Sequence, residues 1–140
     1  MVKTFEVYEK VLEFFSSTFT DDIYFNETID FIMKKLRARK DLVREINVNE
    51  KIKERELFTK EQTSEKFSLF YEKLKKSKFS IEAAYSLIFG LENSILEKLL
   101  PVEKFLKEEE NQYLKKFISE TKETISWLRE RAKFFNLNFL

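Results

Sequence analysis

Chemistry in this chain would have to come from carboxylates, amines, guanidiniums and hydroxyls, because its 140 residues include no His and no Cys. Lacking His removes the commonest general base and transition-metal ligand. Lacking Cys removes disulfides, thiolate catalysis and sulfur-ligated zinc or iron–sulfur sites. One Gly leaves no room for a glycine-rich phosphate loop. No pattern places a Ser–Lys dyad, and two-carboxylate hydrolysis needs a cleft that a narrow helical bundle does not offer.

Glu92 is the acid that stands out. It falls at helical spacing among Ala84, Tyr85, Ile88, Leu91, Ile95 and Leu99, so it shares an apolar face. A carboxylate there needs a partner or a raised pKa. Arg39, on the facing helix, could supply the partner, as could Tyr8 or Thr124. Thr121 and Thr124 lie on the apolar face of the last helix, where threonines also bond to their own backbone. Tyr8, Arg39, Glu92, Thr121 and Thr124 are therefore expected as a polar network in the core, with no catalytic role.

Two charge runs need weighing. Lys34, Lys35, Arg37, Arg39, Lys40 and Arg44 form a dense basic patch, with Lys73 to Lys78 as a second. Nucleic acid calls for a stripe worth several phosphate contacts. Asp41, Glu45 and Glu72 interleave with the bases and the net charge is +1, which argues against that partner. Glu103, Glu108, Glu109 and Glu110 read as a solvated first turn of the last helix, favoured by its dipole.

The elements that would position these residues are helices. Tyr8 shares one face with Phe5, Val11, Leu12 and Phe15, giving a helix over 4–17. Thr20-Asp21-Asp22 restarts the pattern as an N-cap, and a second helix over 22–46 lines up Phe25, Ile29, Ile32, Leu36, Val43 and Ile46. Residues 47–80 carry nine bases and six acids and read as a crossover with one or two short helices. Thr59 and Thr63 are candidate starts, and Phe67, Phe70, Tyr71 and Leu74 form a brief apolar face. Ser80 caps a third helix over 81–99, in which Gly90 implies a close helix approach. Pro101 stops it or opens a fourth, running from about 102 or 109 to 135. That helix presents Leu114, Phe117, Ile118, Thr121, Thr124, Ile125, Leu128 and Ala132. The apolar tail 134–140 should pack on the bundle or on a second subunit.

The fold class is therefore all-α, one domain over 1–140, an antiparallel four-helix bundle filled by many of its 16 Phe. No stretch approaches the twenty or so apolar residues of a membrane span, and the N-terminus lacks a signal peptide's apolar region. A cytoplasmic protein is expected. Lys/Glu richness suits a thermophile and equally an AT-rich genome.

Residues 8–15 weakly echo 92–99, each followed by a loop and a long amphipathic helix. Together with Leu91-Glu92-Asn93-Ser94-Ile95 and the stretch Leu114 to Leu128, this resembles the ferritin-like superfamily, rubrerythrin-like domains in particular. In that family two helix pairs joined by a crossover supply two Glu and two Glu-x-x-His motifs to a pair of iron or manganese ions. The resemblance implies Glu92 as the third helix's ligand. It implies Thr121 and Thr124 at the fourth helix's motif, or Glu120 and Glu123 after a one-residue slip. It implies Tyr8, with Glu9 beside it, on the first helix, and Leu36 and Arg39 on the second. One ligand of six remains, no His remains, and a cation stands where metal would. The expectation is a non-catalytic bundle without cofactor that associates with itself, as a homodimer, or with another protein. The alternatives are a divergent iron or manganese protein using Glu92, Glu120, Glu123 and Glu9, with oxygen or peroxide chemistry, and a helical subunit of a nucleic-acid complex using residues 34–44.

Overall fold

The computed structural model describes residues 2–49, 68–69, 71–76, 78, 80–103 and 112–137. Four long helices form among them: α1 (Val2–Thr18), α2 (Ile23–Asn49), α3 (Ile81–Glu103) and α4 (Gln112–Phe134). A short helical stretch covers 71–75. No strand occurs among the described residues.

Each helix buries the stripe that its periodicity marks. Phe5, Tyr8, Val11, Leu12 and Phe15 on α1 are fully buried, as are Phe25, Ile32 and Leu36 on α2. Ala84, Ile88 and Leu99 on α3 and Leu114, Leu128 and Ala132 on α4 close the same core. Aromatic edges join the layers: Phe25 meets Phe15 at 6.3 Å, Phe19 at 5.2 Å and Tyr85 at 5.3 Å.

The helix ends are chemically specified. The Asp22 carboxylate accepts from the Phe25 amide at 2.8 Å and so caps α2. The Asn26 side-chain amide donates to the Phe19, Thr20 and Asp22 carbonyls, tying down the α1–α2 turn. Ser80 Oγ caps α3 through the Ala83 amide at 3.1 Å. After α4, Asn136 takes the left-handed conformation with φ 55°. The Leu137 amide then reaches the Ala132 carbonyl at 2.8 Å, and the Asn136 amide reaches Lys133. This Schellman closure turns Leu137 back onto the core.

Contacts fix the directions. Tyr24 meets Phe135, Thr28 meets Arg131 and Phe31 meets Trp127, so α2 and α4 are antiparallel. Phe89 lies by Arg129 and Glu103 by Lys122, so α3 and α4 are also antiparallel. Tyr85 bonds to Thr28 and Glu92 to Arg39, so α2 and α3 run the same way. The chain between them must return the length of α2, about 40 Å for 27 residues. Of that return, Leu74 is buried and Tyr71 packs edge-on against Phe14 at 6.5 Å. The Thr59 and Thr63 helix starts, Phe67 and Phe70 lie outside the described residues.

Three expectations need correction. Gly90 is exposed, and a Cβ built on it would meet nothing within 4 Å, so it marks no close approach. Pro101 sits inside α3, because near a C-terminus the ring forfeits only one late hydrogen bond. Glu103 accordingly ends α3 instead of opening α4, and pairs with Lys122 at 2.9 Å. Glu108, Glu109, Glu110 and the tail residues 138–140 lie outside the described residues.

Candidate functional site

Spacing forces two opposite charges into the core. Arg39 falls in line with Ile32, Leu36, Val43 and Ile46 on α2, and Glu92 in line with Ile88 and Ile95 on α3. A helix that buries its stripe must bury these side chains too. Both are fully buried, at 0% exposure.

They meet as a two-pronged fork. Arg39 Nη1 donates to Glu92 Oε2 at 2.6 Å, and Nη2 donates to Oε1 at 2.5 Å. Planar guanidinium and planar carboxylate match in this geometry, giving two charge-assisted bonds at once. Tyr8 Oη on α1 donates to Glu92 Oε1 at 3.0 Å. Arg39 Nη1 also reaches Thr121 Oγ1 on α4 at 3.4 Å, and Nε bonds to the Lys35 carbonyl at 3.2 Å. The Thr121 hydroxyl donates its hydrogen bond to the Phe117 carbonyl at 3.0 Å, leaving a lone pair for Arg39. The guanidinium carbon lies 5.8 Å from the centre of the Phe5 ring. One network thus draws a side chain from every long helix.

The electrostatics keep Arg39 charged. Burial alone would lower the Arg39 pKa, but the charge and hydrogen bonds of Glu92 reverse this and hold it above the usual value. Burial pushes the Tyr8 phenol well up, and the Glu92 charge adds to that. Tyr8 is therefore a neutral donor.

Thr124 does not join. It is buried, but its hydroxyl bonds to the Glu120 carbonyl of its own helix at 2.8 Å. The other candidate ligands, Glu120, Glu123 and Glu9, also face cations. Glu120 and Glu123 converge on Lys35 Nζ at 2.8 and 3.1 Å, which raises the Lys35 pKa, the Glu120 hydrogen bond contributing most. Glu9 holds Lys40 at 2.8 Å. Among the described residues no group of three His, Cys, Asp or Glu could hold a metal ion.

The basic patch is split by the fold. Arg39 is inside, Lys35 and Lys40 bridge to acids, and Arg44 lies 3.5 Å from Asp41. Lys34 and Arg37 are exposed beside a surface groove of about 480 Å³ that Glu13 and Asp30 also line. A second groove, of about 420 Å³, lies along α4 by Glu103, Lys115 and Lys122. Neither groove is lined by a member of the buried network.

Sequence reasoning missed a second polar cluster. Thr28 Oγ1 lies 2.7 Å from Tyr85 Oη and accepts from Arg131 Nε at 2.7 Å, while Arg131 Nη2 bonds to the Tyr24 carbonyl and to Glu27. The available signal was Thr28 itself, a hydroxyl beside Ile29 on the apolar stripe of α2. Comparison of the chain with protein families, with curated proteins and with solved structures returns no match.

Proposed function

We propose that this protein is a ferritin-like helical bundle that acts by associating, with itself or with another protein, and not by catalysis. The observation that carries the reading is the Arg39 fork on Glu92. Glu92 is the one family ligand retained, and both its oxygens are bound by a guanidinium. The helix directions support the family reading: parallel α2 and α3 demand the long return that the family's two-pair plan contains.

The residues present do not fit a pair of metal ions. Tyr8, Arg39, Thr121 and Thr124 stand at ligand positions, and Arg39 brings a positive charge to the place where a cation would bind. A hard metal needs several convergent carboxylates, whereas Glu9, Glu120 and Glu123 each bind a lysine instead. The core is also closed to substrate, since Arg39, Glu92 and Tyr8 are all fully buried.

Two measurements test the reading. Iron, manganese and zinc per chain, determined after expression in supplemented medium and exhaustive dialysis, should be far below stoichiometric. Stoichiometric metal overturns it and makes Glu92, Glu120 and Glu123 the first residues to replace. Light scattering on the full chain should show more than one copy per particle, or one copy that a protein partner converts to a complex.

A further inference from the structure

We infer that this chain associates with a second copy by exchanging helix pairs: the α1–α2 pair of each copy closes on the α3–α4 pair of the other. The inference rests on the self-association reading above and specifies its partner and its surface.

The outer surface does not supply the interface. The large apolar side chains exposed among the described residues are Ile23, Tyr24, Leu69, Leu100, Tyr113 and Phe134. They sit at helix ends and in the return, and not along one face. Arg131, paired with Glu27, interrupts the aromatic run from Tyr24 and Phe135 to Phe31 and Trp127. Apolar groups are concentrated instead at the seam between the two pairs. There Phe5 meets Phe117 at 5.8 Å, Phe25 meets Tyr85 at 5.3 Å and Phe31 stacks on Trp127 at 3.9 Å.

Charge specifies what the seam accepts. The α1–α2 pair presents Lys35 and Arg39 midway along α2 and Glu27 near its start. The α3–α4 pair answers with Glu120 and Glu123 to Lys35, Glu92 to Arg39, and Arg131 to Glu27. The sign thus alternates along the seam, which fixes both partner and register. A second copy carries the same α3–α4 pair, and none of these contacts depends on which chain supplies it.

Connectivity allows the exchange. The helical stretch 71–75 travels with the first pair, since Tyr71 packs edge-on against Phe14 of α1 at 6.5 Å. From its end the chain reaches Ser80, the cap of α3, through residues 76–80. Lys76, Lys78 and Ser80 are exposed, and none of the three is helical. A short hinge of this kind lets α3 and α4 pass to a neighbour with both pairs intact. Closed and exchanged forms share their seam contacts, so the tether decides between them. It gives the chain's own second pair an effective concentration on the order of millimolar, and exchange competes as the chain concentration approaches that.

Sedimentation velocity on the full chain, refolded from urea at about 1 mM, the scale the tether sets, tests this. Dimer should form. After dilution it should dissociate no faster than the protein unfolds, because the seam must open first. A dimer that falls apart far faster than unfolding overturns the exchange and leaves self-association standing through another surface. A chain that stays monomeric overturns both. Charge reversal supplies the second readout. Arg39→Glu and Glu92→Arg each set like charges in the core, and each variant alone should lose most of its helical circular dichroism. Refolded together in equal amounts, they should regain it as a one-to-one dimer, because exchange returns one acid and one base to each seam. Variants that fold as well alone as together, or a mixture that recovers no helix, overturn the exchange.

Discussion

Arg39 and Glu92 illustrate why a buried ion pair is costly to break and cheap to replace. Removing one partner leaves an uncompensated charge in an apolar core. Arg39→Met or Glu92→Leu alone should therefore cost about 3–5 kcal/mol in urea unfolding. Replacing both, with Tyr8→Phe so that no hydroxyl is orphaned, should recover most of that loss. If the triple variant is as unstable as the singles, the pair is a net stabiliser. Tyr8 and Lys35 set an alkaline limit. Tyr8, through burial, and Lys35, chiefly through its Glu120 hydrogen bond, both have raised pKa values. The folded chain thus keeps protons that the unfolded chain releases. Their contribution is whole below the ordinary pKa values of about 10 and drains as pH climbs through the raised ones. Stability should fall above about pH 10, and Tyr8→Phe should flatten the fall; a profile unaffected by that substitution refutes the assignment.

At the scale of the helix, stripes were legible because burial follows a 3.6-residue period. The cap at Ser80 and a cap within Thr20-Asp21-Asp22, which proves to be Asp22, were legible because a side-chain oxygen before an apolar run has one good use. Asp22→Ala should cost about 1 kcal/mol, read as a lowered denaturation midpoint. Gly90 shows the limit. A missing side chain marks a close approach or an idle surface position, and only rotation about the helix axis separates the two. Since nothing lies within 4 Å of its would-be Cβ, Gly90→Ala should stabilise by about 1 kcal/mol; a loss would mean a neighbour is there after all. The buried network was partly legible for the same reason. Periodicity put Tyr8, Arg39, Glu92, Thr121 and Thr124 inward, but it could not show that Thr124 turns its hydroxyl to its own backbone. Pro101 escaped because a proline in a last turn does little harm.

For the whole molecule, the shared direction of α2 and α3 matters most. It divides the chain into two antiparallel pairs, α1 with α2 and α3 with α4, joined by one long return. The weak echo between residues 8–15 and 92–99 matches that division. Either pair alone exposes a full apolar stripe, and like pairs could in principle cover one another as readily as unlike ones. The buried charges forbid it. Two copies of the first pair would bring guanidinium against guanidinium, and two of the second would bring carboxylate against carboxylate, each out of reach of water. Only the first with the second cancels, with Tyr8 and Thr121 crossing the seam as further tokens of the match. Arg39 and Glu92 work as a password exchanged between halves of similar build, so that a first pair closes on a second pair and not on another first.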